Sequence, residues 1–184
     1  MDELTVIAIT GLPGAGSSTI AKLLAERLNL KYFSPGEYFK NHSDRKKQIE
    51  QALDVFQSGL GKEKYFHEKI DEIQRKLGKE GNVVICGKLS IFILKDIADF
   101  KIWLDCSFEE RVRRTAERDG LKLRDVEKML KEREKLEVDE WKKDYGIDYR
   151  KQRDMADLII DNTRLSKEET VEKILDFIQK HKNR

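Results

Sequence analysis

The sequence predicts a three-layer α/β fold, with a five-stranded parallel sheet held between layers of helix. Two observations carry that expectation. Five short apolar runs, rich in β-branched residues, are separated by stretches with helical spacing, and strands joined through helices lie parallel. The first of these runs ends in glycine punctuation that opens directly into an amphipathic helix. A parallel sheet is buried on both faces, which suits strands that read as unbroken apolar runs. Ligands of such sheets lie outside the carboxyl ends of the strands.

Leu4–Thr10 is the first strand and Gly11–Gly16 the tight loop after it. From Ser18 onward Ile20, Ala21, Leu23, Leu24, Ala25 and Leu28 fall on one helical face. Leu30–Ser34 reads as a second strand, stopped by Pro35-Gly36, with Glu37–Phe39 opening a helix. Between 41 and 80 the apolar residues Ile49, Leu53 and Phe56, then Phe66, Ile70, Ile73 and Leu77, recur at helical spacing, with a break at Gly59–Gly61. Asn82–Cys86 is a third strand, ending at Gly87-Lys88, and a short helix follows over Leu89–Leu94.

Phe100–Cys106 is the fourth strand. Ser107 with Glu110 forms a capping box for the helix Phe108–Arg118, which Asp119-Gly120 closes. A second charged helix runs from Arg124 to Lys143 and stops at Tyr145-Gly146. Ala156–Asp161 is the fifth strand, and Ser166 with Glu169 caps a terminal helix through Val171, Ile174, Leu175 and Ile178. No repeat or linker divides the chain. Residues 1–184 read as a single domain, with a helical insertion over 41–80 and a helix pair over 108–145.

Charge is balanced: 37 basic and 35 acidic residues among 184 leave a net +2. No helix concentrates Lys and Arg with interleaved aromatics, so nucleic acid is not an expected partner. No apolar run is long enough to span a membrane and no signal peptide pattern stands out, so a cytoplasmic protein is expected. Cys86 and Cys106 fall in predicted strands without ligand spacing and read as structural thiols. No apolar interface stripe stands out, which predicts a monomer.

The loop reads Gly11-Leu12-Pro13-Gly14-Ala15-Gly16-Ser17-Ser18, followed by Thr19. Its glycines keep the spacing of G-x-x-x-x-G-K-[ST], a loop whose backbone N–H groups cradle nucleotide phosphates. Ser18 stands where a hydroxyl ligates Mg²⁺. Ser17 occupies the place of the lysine that reaches the β- and γ-phosphates. The plainer alternative is a glycine turn in which Ser17 or Ser18 caps the helix. The strand before and the helix after favour an ATP phosphate site over Gly11–Thr19.

The order of phosphate loop, YFSPGEYFK, VVICGKL, KIWLDCSFEERVRRTAERDG, KEREKLEVDEW and ADLIIDNTRLS resembles the nucleoside monophosphate kinases, and most of all the archaeal type of cytidylate kinase. The resemblance covers nearly the whole chain outside 41–80. It implies a P-loop nucleoside-kinase fold with ATP and Mg²⁺, an acceptor-side helical insertion, and an arginine-rich lid over 108–145. Ser34, Gly36, Lys40, Gly87 and Lys88 then belong to the monophosphate site. Arg114, Arg118, Arg133 and Lys88 are the candidate cations around the transferring phosphoryl, with Lys88 and Lys40 on the acceptor phosphate. Relatives of this type often carry Thr or Ser in place of the loop lysine, which makes Ser17 a family trait. One departure is plain: the family pattern of acid-Gly-Arg after the third strand is here Cys86-Gly87-Lys88.

The expected reaction is transfer from ATP to CMP or dCMP. Its alternatives are a kinase for another small acceptor and a catalytically weakened nucleotide-binding regulator. Arg111 and Arg113 read as solvated partners of Glu109, Glu110 or Glu117. Trp103 reads as core, and Trp141 as either packed or exposed. His42, His67 and His181 are expected at the surface, and Asp161 in a turn.

Overall fold

The computed structural model describes residues 4–40, 46–57 and 64–181. Five parallel strands form one sheet in the order β2-β3-β1-β4-β5. They are β1 (Val6–Gly11), β2 (Lys31–Phe33), β3 (Val83–Cys86), β4 (Phe100–Asp105) and β5 (Leu158–Asp161). The helices between them are α1 (Ser17–Leu28), α2 (Pro35–Lys40), α3 (Gln48–Gln57), α4 (Lys64–Glu80), α5 (Ser90–Ile93), α6 (Phe108–Asp119) and α7 (Leu123–Tyr145), and α8 (Lys167–His181) follows β5.

Alternation along the strands divides the core into two apolar layers. Ile7 and Ile9 of β1 point to one face, where Ile20 and Leu24 of α1 and Val171 and Ile174 of α8 cover them. Val6 and Ala8 point to the other, with Ile91 of α5, Trp103, and Trp141 of α7. Burial on both faces is why β1 carries no polar alternation. Trp103 is core, as its strand position predicts, and Trp141 is packed and not exposed. Both cysteines are free and buried. Among the described residues no helix is long and apolar enough to cross a membrane.

The differences from expectation are local and physical. β1 reaches Gly11, one residue further than predicted, because Gly11 still pairs with Leu104 of β4; a Cβ there would stand 2.8 Å from the Leu104 carbonyl oxygen, so the close approach suits glycine. α2 begins at Pro35, a residue already set for a first helical turn. β5 begins at Leu158 and not Ala156, because Tyr149–Met155 winds into a 3₁₀ helix that carries no periodic signal. In that turn the buried Gln152 donates to the Lys88 and Tyr149 carbonyls and accepts from the Phe92 N–H.

Only half of the box predicted at Ser107 forms. Its hydroxyl accepts from the Glu110 N–H, but the Glu110 carboxylate turns to Arg113 and Arg114, whose guanidiniums outbid a backbone N–H. The box at Ser166 and Glu169 closes in both directions, at 2.8 and 3.0 Å.

The interval between α2 and β3 splits its allegiance; the predicted break at Gly59–Gly61 lies outside the described residues. Ile49 of α3 packs with Val112 and Ala116 of α6 and with Val126 and Leu130 of α7. Asp119, at the end of α6, accepts from the Ile49 N–H at 3.1 Å. α4 turns instead toward the sheet, and its buried face is His67, Ile70, Asp71 and Gln74, while Ile73 is exposed. That corrects both the predicted apolar stripe and the surface position expected for His67. The buried polar groups are paired: Tyr145 donates to Asp71 at 2.6 Å, Ser90 donates to Gln74 at 2.8 Å, and His67 lies edge-on to Trp141. His181 is exposed as expected, and His42 lies outside the described residues.

Candidate active site

The phosphate loop runs from the carboxyl end of the central strand into α1. Gly14 and Gly16 have φ of +83° and +89°, a left-handed conformation that glycine adopts without strain. α1 starts at Ser17, and its N-cap is Gly16, with no side-chain cap. Ser17 and Ser18 therefore lie inside the helix and do not cap it. The alternative of a merely capped turn fails, and the first amides of α1 face the cleft.

Three side chains tie off alternate loop carbonyls. Lys88 Nζ donates to the Gly11 oxygen at 2.7 Å, Arg111 Nη1 to that of Pro13 at 2.9 Å, and Asn162 Nδ2 to that of Ala15 at 2.9 Å. They come from the ends of three different strand–helix connections. With the Gly11, Pro13 and Ala15 carbonyls engaged by side chains and the Leu12 carbonyl accepting from the Ala15 N–H at 3.0 Å, the remaining loop N–H groups are left for the cleft. Gly14 is wedged there, since a Cβ would meet the Arg111 carbonyl at 3.1 Å.

The cleft has a volume of about 740 Å³ and is lined by Gly11–Thr19, Ser34, Gly36, Gly87, Lys88, Arg114, Arg118 and Arg133. Every one of these cations has a countercharge. Arg114 donates to Glu110 at 2.8 Å and to the side chain and carbonyl of Asn162. Arg118 pairs with Asp119 at 2.6 Å, and Arg133 with Glu137 at 2.8 Å. Lys88 lies 3.6 Å from Glu137. Burial pushes the Lys88 ammonium down to about 8, against the opposing pull of Glu137. The Glu137 carboxyl, though buried, is held below its ordinary range by Arg133 and Lys88.

At the end of the cleft away from α1 the Ser34 hydroxyl accepts from the Glu37 N–H and so caps α2. Gly87 is fitted tightly under Ser90 and Pro35, whereas Gly36 meets only the Ser34 hydroxyl. Lys40 closes α2, and its side chain lies outside the described residues. Burial pushes the Cys86 thiol up, so it is a neutral neighbour of Ser17 and Ser18. Among the described residues no group of three His, Cys, Asp or Glu side chains could cage a metal. A hydroxyl at Ser18 beside a phosphate loop suits Mg²⁺, which keeps much of its water and takes its remaining ligands from phosphate.

Residues 6–164 match the model of the cytidylate kinase-like family. The chain belongs to that family. Cytidylate kinase from Methanopyrus kandleri is 33% identical over 174 residues, covering 90% of this chain and 88% of the relative. Cytidylate kinase from Pyrobaculum aerophilum is 34% identical over 176 residues, covering 95% and 92%. Among solved structures, shikimate kinase from Acinetobacter baumannii in complex with shikimate superposes with a TM-score of 0.65 at 18% identity, over 100% of this chain and 97% of that one. The last likeness speaks for the fold alone. As a family member the chain is a nucleoside monophosphate kinase, and the P-loop α/β architecture expected of it is the one observed.

In this kinase the fold gathers Lys88, Arg114, Arg118 and Arg133 around one cleft. Arg113 is where the sequence put it, exposed between Glu110 and Glu117. Arg111 is not. It is 4% exposed, and besides Pro13 it reaches the Cys106 carbonyl and Glu134. The charge pattern i, i+4 hid it, since Glu partners were available on its own helix and only the fold brings the loop beneath it. Asn162, Glu137 and Gln152 were also missed; isolated amides and a carboxylate in a charged helix give no sequence signal. Asp161 holds a turn, accepting from the N–H and hydroxyl of Thr163.

Proposed function

We propose that this kinase transfers the γ-phosphoryl group of ATP to CMP or dCMP, acting as a monomer. The observation that carries the reading is the shared cleft: a glycine loop and helix N-terminus at one end, Ser34, Gly36 and Gly87 at the other, and Lys88, Arg114, Arg118 and Arg133 among the cationic side chains that line it. Phosphoryl transfer asks a protein for position and positive charge and little else. The acceptor phosphate oxygen is already ionised, so no general base is needed.

Gly11–Thr19 hold the donor phosphates in this reading. Ser18 holds Mg²⁺, which when bound supplies charge neutralisation at the β- and γ-oxygens. Ser34, Gly36, Lys40, Gly87 and Lys88 line the acceptor's place. Arg114, Arg118 and Arg133 exchange their carboxylate partners for phosphate as α6 and the N-terminal part of α7 close as a lid, with α3 carried along through Ile49, while Glu137 and Trp141 stay packed on the sheet. The names of the relatives support CMP as acceptor. A different small acceptor draws support from one feature, the Cys86-Gly87-Lys88 turn in place of acid-Gly-Arg.

The test is ADP release with Mg-ATP and each nucleoside monophosphate in turn. Turnover with CMP and dCMP, and little with the others, is expected. ATP binding without turnover of any monophosphate would overturn the reading. Size-exclusion chromatography with light scattering tests the monomer.

A further inference from the structure

Glu137 lies on α7, one turn beyond Arg133, and its side chain is 1% exposed. A carboxylate buried so far is costly unless countercharges surround it. Arg133 Nε donates to Oε1 at 2.8 Å. Lys88 Nζ stands 3.6 Å from Oε2, an oxygen that accepts no hydrogen bond among the described residues. Lys88 also donates to the Gly11 carbonyl, at the start of the loop whose lysine position holds Ser17. Both cations line the cleft and Glu137 does not, so the carboxylate stands behind them.

We propose that Glu137 is a positioning residue: from α7 it holds Lys88 against the phosphate loop, so that packing of α7 on the sheet supplies the cation the loop itself lacks. The inference rests on the kinase reading above. A lysine has a long flexible stem and loses its charge readily when buried. The groups facing Lys88 are Glu137 and Arg133 from α7, Arg111 from α6, Cys86 at the end of β3, and the Tyr149 ring at 5.3 Å. Arg133 and Arg111 disfavour a third positive charge, and the Cys86 thiol is neutral. Glu137 is the group that keeps the ammonium both charged and aimed.

The experiment is a double-mutant cycle in the full chain with Lys88→Ala and Glu137→Gln, read as kcat/KM for Mg-ATP across the pH range of Lys88 titration. Glu137→Gln should lower kcat/KM by about 10–100-fold, the usual cost of removing the partner that orients a ligating group. In the Lys88→Ala background it should change kcat/KM by less than about twofold, because coupled residues are not additive. The alkaline limb should move to lower pH in Glu137→Gln and vanish in Lys88→Arg, a shift that a merely structural role would not produce. Multiplicative losses, or an unmoved limb, overturn the proposal. If melting shows that Glu137→Gln does not fold, Glu137→Asp takes its place; its shorter arm must move the limb in the same direction. Absence of turnover with every monophosphate would sink the kinase reading alone, and titration of the same four proteins with ATP by calorimetry would still show the coupling or its absence.

Discussion

The Arg111 guanidinium donates to the Pro13 carbonyl at 2.9 Å and so fastens the phosphate loop to the helix that follows β4. The same group is paired with Glu134 of α7 and with the Cys106 carbonyl. One buried side chain thus links the loop, the end of β4 and the second helix of the pair.

Arg111→Ala should therefore act on stability and on ATP together. It leaves the Pro13 and Cys106 carbonyls without their donor and Glu134 without its cation. Losing hydrogen bonds from a buried charged group costs roughly 2–3 kcal/mol. Urea unfolding at neutral pH measures this, and calorimetry should show weakened ATP binding in the fraction that remains folded. A variant with wild-type stability and affinity would mean that the loop keeps its shape unaided.

A lysine restored to the loop should not help. Lys88 already reaches the Gly11 carbonyl, and the cleft already holds Arg114, Arg118 and Arg133. A further ammonium at position 17 would lie near Lys88 and repel it. Ser17→Lys is expected to leave kcat with CMP unchanged or lower, measured by steady-state ADP release. A large gain would show that the cleft cations do not replace the loop lysine. Lys88→Ala, by contrast, should raise KM for ATP as well as for the acceptor, since its ammonium touches the loop.

Much of this architecture was legible in the chain. Short β-branched apolar runs such as Val83–Cys86 suit strands buried on both faces, and Gly11–Ser18 keeps the glycine spacing of a phosphate loop. What could not be read were contacts made across the fold. Arg111 and Arg113 are two residues apart on a helix with glutamates on both sides; one is buried on the loop and the other is in water. Helical periodicity assigns a face, but it does not say what lies under that face. His67 teaches the same lesson, because α4 buries a polar stripe that tertiary partners satisfy and hydropathy would place outside.

The acid side of the stability profile should carry the mark of Glu110. Hydrogen bonds from Arg113, then from Arg114, hold its carboxyl down to about 2. A folded-state value below the unfolded one stabilises above the unfolded value, about 4.5, and that stabilisation is lost as pH falls toward 2. Wild-type stability should thus fall over this window. Glu110→Gln should flatten the fall, as followed by urea unfolding at a series of pH values, and an unchanged slope would assign the acid sensitivity to other carboxylates.

Gly14 offers the sharpest test of how the loop is held. Its φ of +83° lies where an L-residue pays about 1–2 kcal/mol. A Cβ would also approach Thr115 Oγ1 at 3.0 Å and the Arg111 carbonyl at 3.1 Å, and the latter is backbone in a helix and cannot swing away. Gly14→Ala should therefore cost more than the conformational term alone, with the loss seen in urea unfolding. It should also weaken ATP more than CMP, because in the proposed reading the displaced amides hold the donor phosphates. Calorimetry with each nucleotide separates the two effects: equal losses for both would mean the whole cleft had shifted, and no loss for ATP would mean that the amides after Gly14 do not touch phosphate.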